Sequence, residues 1–265
     1  MTTAIIGAGV MGETLLSGLL RAGVPKSELL IADRRIERSA EVTKEHGVAN
    51  GTNQEVSAKA DTVVLVVKPQ DMAIVLDEIK DSLKPGTLVV SLAAGITTSF
   101  MEDLLPAQTP VIRVMPNTPA LVDQGMAAIS SGTNSTEEHL LTVETLLRSV
   151  GQVVRVPEKY QDAVTAISGS GPAYIFYVVE AMIEGGVMLG LPRDVANELV
   201  LQTVYGAATM LRETKEHPTV LREQVTSPGG TTVAALRQFD DFKVRAAFLS
   251  AMEAARDRSR ELGQQ

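Results

Sequence analysis

Cysteine and tryptophan are both absent from the 265 residues, histidine occurs three times, and aromatic residues make up only 3%. Without cysteine there can be no disulfide, thiolate nucleophile, Cys-ligated zinc or iron–sulfur cluster, although this absence does not choose between compartments. No metal site is expected. Scarce aromatic rings mean scarce platforms for stacking bases, so aliphatic residues, Ala and Met must build the core. Positive charge is also short, with 24 Lys and Arg against 32 Asp and Glu, a net charge of −8, and no long basic run. Nucleic acid is therefore a poor partner. No apolar run approaches the ~20 residues of a membrane span, and the best candidate, Ala173 to Val179, stops after seven residues at Glu180. The mostly apolar stretch Ala4 to Leu20 contains four glycines and Glu13 and follows no basic residue, so a secretory signal is not expected. The expectations are no membrane partner and a cytoplasmic location.

What is present is ordinary for a globular chain, with 45% hydrophobic and 21% charged residues. At roughly 150 residues per domain, the length allows one or two domains. Along the first 157 residues, β-branched runs alternate with helical patterns. Thr3–Gly7, Leu29–Asp33, Thr62–Val67, Thr87–Leu92 and Val111–Met115 are near-continuous apolar runs, as buried parallel strands are. Amphipathic segments at 10–22, 36–46, 71–82 and 97–105 separate them. Two further strands, near Gly125–Ser130 and Gln152–Val156, bracket a helix at 136–149 announced by Ser135, Thr136 and Glu138. This alternation predicts an α/β fold, a doubly wound sheet with helices on its faces.

After Pro157 strands cease and helical spacing takes over, at 158–167, 172–189, 193–213, 218–225, 230–238 and 241–262. The predicted division is a Rossmann-type domain over 1–159 and an all-α domain over 160–265. The helix from Pro172 is apolar nearly all round, through Ile175, Phe176, Val178, Val179, Met182, Ile183 and Val187. Such a helix needs cover on every side. About 105 residues are few to enclose it, so a second subunit is expected to supply cover; a central helix in a monomeric bundle is the alternative.

The chemistry-bearing motifs begin with Gly7-Ala8-Gly9-Val10-Met11-Gly12, a G-x-G-x-x-G that follows a buried strand and opens a helix, with Asp33 21 residues after Gly12. That context is the dinucleotide fingerprint. Gly7 permits the tight turn, Gly9 leaves room for the pyrophosphate, Gly12 lets helix and strand pack closely, and helix N–H groups face the phosphates. Asp33 suits the ribose 2′-hydroxyl of NAD, whereas Arg34 and Arg35 suit the 2′-phosphate of NADP or form an exposed charge run. Three more strand ends, at Val67-Lys68-Pro69, Ala93-Ala94-Gly95 and Met115-Pro116-Asn117-Thr118, lie where ligand crevices form in open parallel sheets.

The helical half carries two small-residue motifs, Ser168-Gly169-Ser170-Gly171-Pro172-Ala173-Tyr174 and Thr226-Ser227-Pro228-Gly229-Gly230-Thr231-Thr232. Free N–H groups at Gly230, Thr231 and Thr232, backed by a helix N-terminus, suit a carboxylate; helix capping is the other reading. Between Tyr160 and Thr214 there is neither Lys nor His, and His46, His139 and His217 read as surface residues. A carbonyl reductase needs a positioned acid to protonate the developing alkoxide, but a protonated imine needs none.

With these motifs in place, the chain resembles the pyrroline-5-carboxylate reductases over nearly its whole length. The resemblance rests on SGSGPAY at 168–174, GGVMLGLPR at 185–193 and TSPGGTT at 226–232, supported by VVKP at 66–69, SLAAG at 91–95 and RVMPNTP at 113–119. It implies NAD(P)H-dependent reduction of L-1-pyrroline-5-carboxylate to L-proline, the last step of proline biosynthesis. It also implies a helical domain that forms an intertwined homodimer, often in larger rings, and an active site between the nicotinamide and that domain, completed by the partner subunit. By motif, Gly7, Ala8, Gly9, Val10 and Met11 would hold the pyrophosphate and Asn53 would approach the adenosine ribose. Val66, Val67, Lys68, Pro69, Ala93, Ala94 and Gly95 would border the cofactor, with Met115 and Asn117 near the nicotinamide. Gly230, Thr231 and Thr232 would hold the substrate carboxylate, the Thr232 hydroxyl also near the ring nitrogen, and Ser170 would support that pocket. Many relatives that favour NADPH carry a small polar or basic residue at the position of Asp33, so NADP(H) is placed only slightly ahead of NAD(H). The alternative functions are a β-hydroxyacid dehydrogenase, which would want a catalytic Lys on a second-domain helix, and a non-catalytic dinucleotide-sensing dimer.

Overall fold

A computed structural model describes residues 1–263. Its strands are β1 Thr3–Ile6, β2 Leu29–Ala32, β3 Ala49–Asn50, β4 Thr62–Leu65, β5 Leu88–Ser91, β6 Val111–Met115, β7 Gly125–Ser131 and β8 Gly151–Arg155. They form one sheet in the order β3-β2-β1-β4-β5-β6-β7-β8. The first six follow the 3-2-1-4-5-6 order of dinucleotide-binding sheets, with the direction of winding reversing between β1 and β4. Every residue of β1, β2, β4 and β5 is buried, which is why these strands read as continuous apolar runs. Successive side chains point to opposite faces, so Ile5 joins one core with Leu15, Leu16 and Leu19, and Ile6 joins the other with Met72, Leu76 and Ile79.

Helices α1 Val10–Arg21, α2 Ile36–His46, α3 Asn53–Ser57, α4 Met72–Ile79, α5 Thr98–Leu104 and α6 Glu137–Arg148 lie between the strands. Three details differ from the sequence reading. β3 and α3 are too short for any periodicity to show, α3 being recognisable only by its Thr52–Glu55 capping box. β7 runs antiparallel to β6, because residues 116–124 are too few for the crossover that a parallel partner needs. Finally, α6 is capped by Thr136 with His139, while Ser135 turns its hydroxyl to the Val111 carbonyl at 2.6 Å.

The contacts divide the chain into Met1–Ser170 with Ala255 onward, and Gly171–Ala254, whereas the sequence reading divides it at 159/160. The difference has a physical source in residues 158–170, where α7 spans Gln161–Val164. Gln161 is fully buried and donates to the Ser130 hydroxyl at 2.8 Å and the Ala128 carbonyl at 3.3 Å. Glu158 accepts from the Thr98 amide and hydroxyl at 2.8 and 2.6 Å and pairs with buried Arg113 at 3.3 Å. The chain's last helix returns to the same unit, where Ser259 donates to Asp162 at 2.8 Å and Gly263 lies against Gly95.

The second unit holds α8 Gly171–Met188, α9 Arg193–Thr214, α10 Pro218–Gln224, α11 Thr231–Asp241 and the first part of α12 Val244–Leu262. Where the sequence reading breaks the chain at the 168–171 glycines, helical backbone continues through a π turn at Thr165–Gly169, with the Ser170 N–H donating to the Thr165 carbonyl at 2.8 Å. The resulting run Glu158–Met188 is long and apolar enough, by length and composition alone, to cross a membrane, contrary to the reading from apolar runs. No residue of α8 is buried in the single chain, and Phe176 and Tyr177 are 65% and 75% exposed.

Candidate functional site

The carboxyl ends of β1, β2 and β4 open onto a cleft of about 280 Å³ at the point where the winding reverses. Of the residues singled out from sequence, it gathers Gly7, Gly9, Asp33, Arg34, Asn53, Val66, Val67 and Lys68. Gly7 adopts φ +109°, and a Cβ there would collide with the Val66 carbonyl; one on Gly12 would collide with the Gly7 carbonyl. A Cβ on Gly9 would meet nothing within 4 Å. Two glycines thus serve the fold and the third leaves open space at the start of α1, the arrangement a pyrophosphate requires. Ala8 and Gly12 are buried within the loop, Met11 is half-buried, and Val10 and Pro69 are exposed; these five lie outside the cleft lining.

Asp33 is the hub of this loop. One carboxylate oxygen accepts the Ala8 N–H at 2.8 Å, and the other accepts the Arg35 N–H at 2.9 Å and its Nε at 3.3 Å. Its side chain is only 8% exposed. Burial alone would raise its pKa, but the backbone donors of Arg35 and Ala8 and the Arg35 guanidinium outweigh this and hold the carboxyl below its ordinary value. The Arg34 and Arg35 side chains are largely exposed around the cleft, Arg34 resting on Asp71 at 3.2 Å. Asn53 donates to Glu78 at 2.6 Å. Behind the loop, Arg38 donates from Nε to the Ala8 carbonyl at 2.8 Å and pairs with Glu13, which also meets His46 at 3.3 Å. His46 is therefore a partly buried strut rather than a surface residue, whereas His139 and His217 cap helices. The ligand atoms of Glu13, Glu45 and His46 lie within 4.8 Å of one another, but Glu13 already serves Arg38. Sequence reasoning misses Asp71, Glu78, Arg38 and Glu13: Glu13 stands on the helix that the loop opens, while Asp71 and Glu78, from the segment after β4, and Arg38, from α2, are placed by the sheet order.

The other strand-end residues do not join the cleft. Ala93 is 5% exposed and its N–H donates to the Ser91 hydroxyl at 3.2 Å, Ala94 is half-buried, and Gly95, at φ +79°, packs against Gly263. Met115 and Asn117 instead reach the π turn. The Met115 methyl sits 2.5 Å from where a Gly169 Cβ would stand, and the Asn117 amide donates to the Ser168 carbonyl at 3.1 Å. Ser170, half-buried, ends this turn.

In the second unit, Gly229 at φ +67° turns the chain into α11, with Gly230 as N-cap. The expectation of three free N–H groups is corrected here, because the Gly230 N–H donates to the Ser227 carbonyl at 3.0 Å. Thr231 and Thr232 open the helix, where N–H groups have no intrahelical acceptor.

A family model described as pyrroline-5-carboxylate reductase dimerisation matches residues 158–262, and one described as NADP oxidoreductase coenzyme F420-dependent matches residues 2–95. The chain is similar to a pyrroline-5-carboxylate reductase of Corynebacterium melassecola, at 46% identity over 99% of this chain and 98% of that protein. Among solved structures it is similar to the enzyme of that name from Coxiella burnetii, at 36% identity and a TM-score of 0.94 over 100% of this chain and 99% of that one. A Plasmodium falciparum pyrroline carboxylate reductase solved with NADP bound is similar at 29% identity and a TM-score of 0.88, over 99% of this chain and 98% of that one.

Proposed function

The chain belongs to the pyrroline-5-carboxylate reductase family, and on that premise we propose that it reduces L-1-pyrroline-5-carboxylate to L-proline with a nicotinamide dinucleotide. The observation that carries this reading is likeness to such reductases along essentially the whole chain, joined to a glycine loop built for a pyrophosphate at the switch point of the sheet. When bound, the reduced nicotinamide supplies the hydride. The first helix N-terminus and the open space at Gly9 would receive the pyrophosphate, and Asn53 the adenosine ribose. Arg34 and Arg35 would receive a 2′-phosphate, which favours NADP(H) over NAD(H), since the Asp33 carboxylate is already engaged by Ala8 and Arg35.

Thr231 and Thr232 would hold the substrate carboxylate, with Gly230 closing the turn beneath them and Ser170 supporting the pocket. The imine nitrogen arrives protonated, so hydride addition at its carbon converts the C=N pair into a nitrogen lone pair. This chain need not deliver a proton. That agrees with a helical half lacking Lys and His from Tyr160 to Thr214, and it removes the lysine that a β-hydroxyacid dehydrogenase would use. Self-association follows from the dimerisation family and from the bare apolar surface of α8; we propose a homodimer, extendable to a ring of dimers.

Purified protein should consume NADPH or NADH only when the pyrroline is added, with proline as the product. Tight dinucleotide binding without turnover would favour the sensor instead, and no turnover with either cofactor would end the proposal.

A further inference from the structure

The SGSGP segment contains an unusual hydrogen-bonding deficit. Pro172 is the second residue of α8 and has no N–H, so the carbonyl four residues earlier, Ser168, cannot receive the bond that would continue the helix. The π turn shifts the neighbouring bond one residue further, from the Ser170 N–H to the Thr165 carbonyl. The Ser168 carbonyl is met from outside the helix, by the Asn117 side-chain amide at 3.1 Å, across 51 positions of sequence. The other end of the same amide is also engaged, since Asn117 Oδ1 accepts the Met126 N–H at 2.8 Å. Met115, two residues earlier, fills the space that a side chain on Gly169 would need.

From this geometry we infer that Asn117 is a positioning residue that stands in for the missing Pro172 N–H, rather than a ligand of the nicotinamide as the motif suggests. Its amide has one donor group directed at Ser168 and its oxygen directed at Met126. Turning either toward a cofactor would leave a partly buried backbone group unpaired. What Asn117 sets is the register between the loop after β6 and the π turn that ends at Ser170. The inference rests on the reductase reading, in which Ser170 supports the substrate pocket. Misplacing such a support by a fraction of an ångström acts on the reacting geometry, not on the dinucleotide cleft.

A double-mutant cycle tests it. N117D retains an acceptor for the Met126 N–H but loses the donor to Ser168, and P172A restores a backbone N–H within reach of that carbonyl. We expect N117D to lower kcat/KM for the pyrroline by about tenfold to a hundredfold while the dissociation constant for NADPH, measured by fluorescence titration, changes less than about threefold. In the P172A background the same substitution should cost at least about fivefold less. Should N117D fail to fold, the P172A/N117D protein should recover folding, read by circular dichroism and dinucleotide binding. An equal loss in both backgrounds, a double variant that also fails to fold, or a weakening of NADPH binding in step with kcat/KM would overturn the inference. Wild-type turnover of the pyrroline tests the reductase reading separately, before any variant is compared.

Discussion

Replacing Asp33 with serine removes a carboxylate that two backbone N–H groups of the phosphate loop region use as their acceptor, at 2.8 Å from Ala8 and 2.9 Å from Arg35. The Ala8 amide belongs to a buried residue, and a buried donor left without a partner costs about 1–3 kcal/mol, with charged acceptors at the upper end. The Arg35 bonds are at the exposed side of the loop and add little. In D33S the free loop is expected to relax so that the Ala8 amide pairs with water; regaining the binding geometry then costs roughly 1.5–3 kcal/mol, and at tenfold in affinity for each 1.4 kcal/mol binding should weaken by about tenfold to a hundredfold. Because the damage is to the loop that receives the pyrophosphate, NADPH and NADH should lose equally. A carboxylate that instead faced the ribose would repel the 2′-phosphate, and its removal would improve NADPH alone. Fluorescence titration of both reduced dinucleotides against wild type and D33S separates these outcomes. A selective tightening for NADPH with NADH unchanged would refute the anchoring role. The pH dependence follows with a definite sign: the carboxyl is held below its ordinary value of 3.8, so its contribution is complete above that value and is lost only as pH falls through the lower, folded one. The contribution of Asp33 should therefore stay level from neutrality down to about pH 5, which titrations with NADH, lacking the 2′-phosphate that itself titrates at about pH 6, would read.

Removing both guanidinium groups, by R34A/R35A, should raise the dissociation constant for NADPH by about tenfold or more, from lost charge-assisted bonds to the 2′-phosphate, and leave NADH within about threefold; equal effects on both cofactors would place the arginines elsewhere. T232A should raise KM for the pyrroline and lower kcat while the NADPH dissociation constant holds, the pattern of a group acting on substrate rather than cofactor. Phe176 and Tyr177, 65% and 75% exposed on α8, should be covered in the assembled protein. F176E/Y177E is then expected to shift sedimentation toward monomer, and an unchanged sedimentation coefficient would place the interface on another face.

The glycine loop and the four buried strands are legible in the sequence because both are local. Gly7, Gly9 and Gly12 sit at fixed offsets from a strand end, and burial on two faces imposes a continuous apolar run. What is not legible is how side chains engage one another. Asp33 can be placed at the end of β2 by counting, but whether its oxygens face a ribose or the Ala8 N–H depends on a contact across 25 positions. Asn117 is comparable: RVMPNTP locates it at a strand end, while its partner is a carbonyl made vacant by a proline 55 residues later. The pattern changes at Pro157, close to where the dimerisation family match begins at residue 158, but the ties of Gln161, Asp162 and the last turn of α12 to the sheet unit are made by side chains that no periodicity records.

The bare surface of the helical unit bears on what the protein does as much as on how it assembles. Within Gly171–Ala254 only Ala196 and Val200 are buried hydrophobic residues in the single chain, far too little apolar burial to offset the entropy of ordering 84 residues at about 1–2 kcal/mol each. We propose that this unit takes its missing cover from a partner surface, in keeping with the dimerisation family that it matches. A bilayer is a poor candidate for that surface, because the first part of the apolar run Glu158–Met188 is engaged with the sheet: Gln161 is buried there and Asp162 is bonded to Ser259. The remaining Gly171–Met188 is 18 residues long and carries Glu180 and Glu184, which in lipid would be costly. A second copy of the same unit meets the requirement without burying charge in hydrocarbon. Thr231 and Thr232, which we assign to the substrate, lie on that same marginal unit. On the proposed assignment, substrate binding would depend on assembly, whereas the dinucleotide cleft lies on the sheet unit.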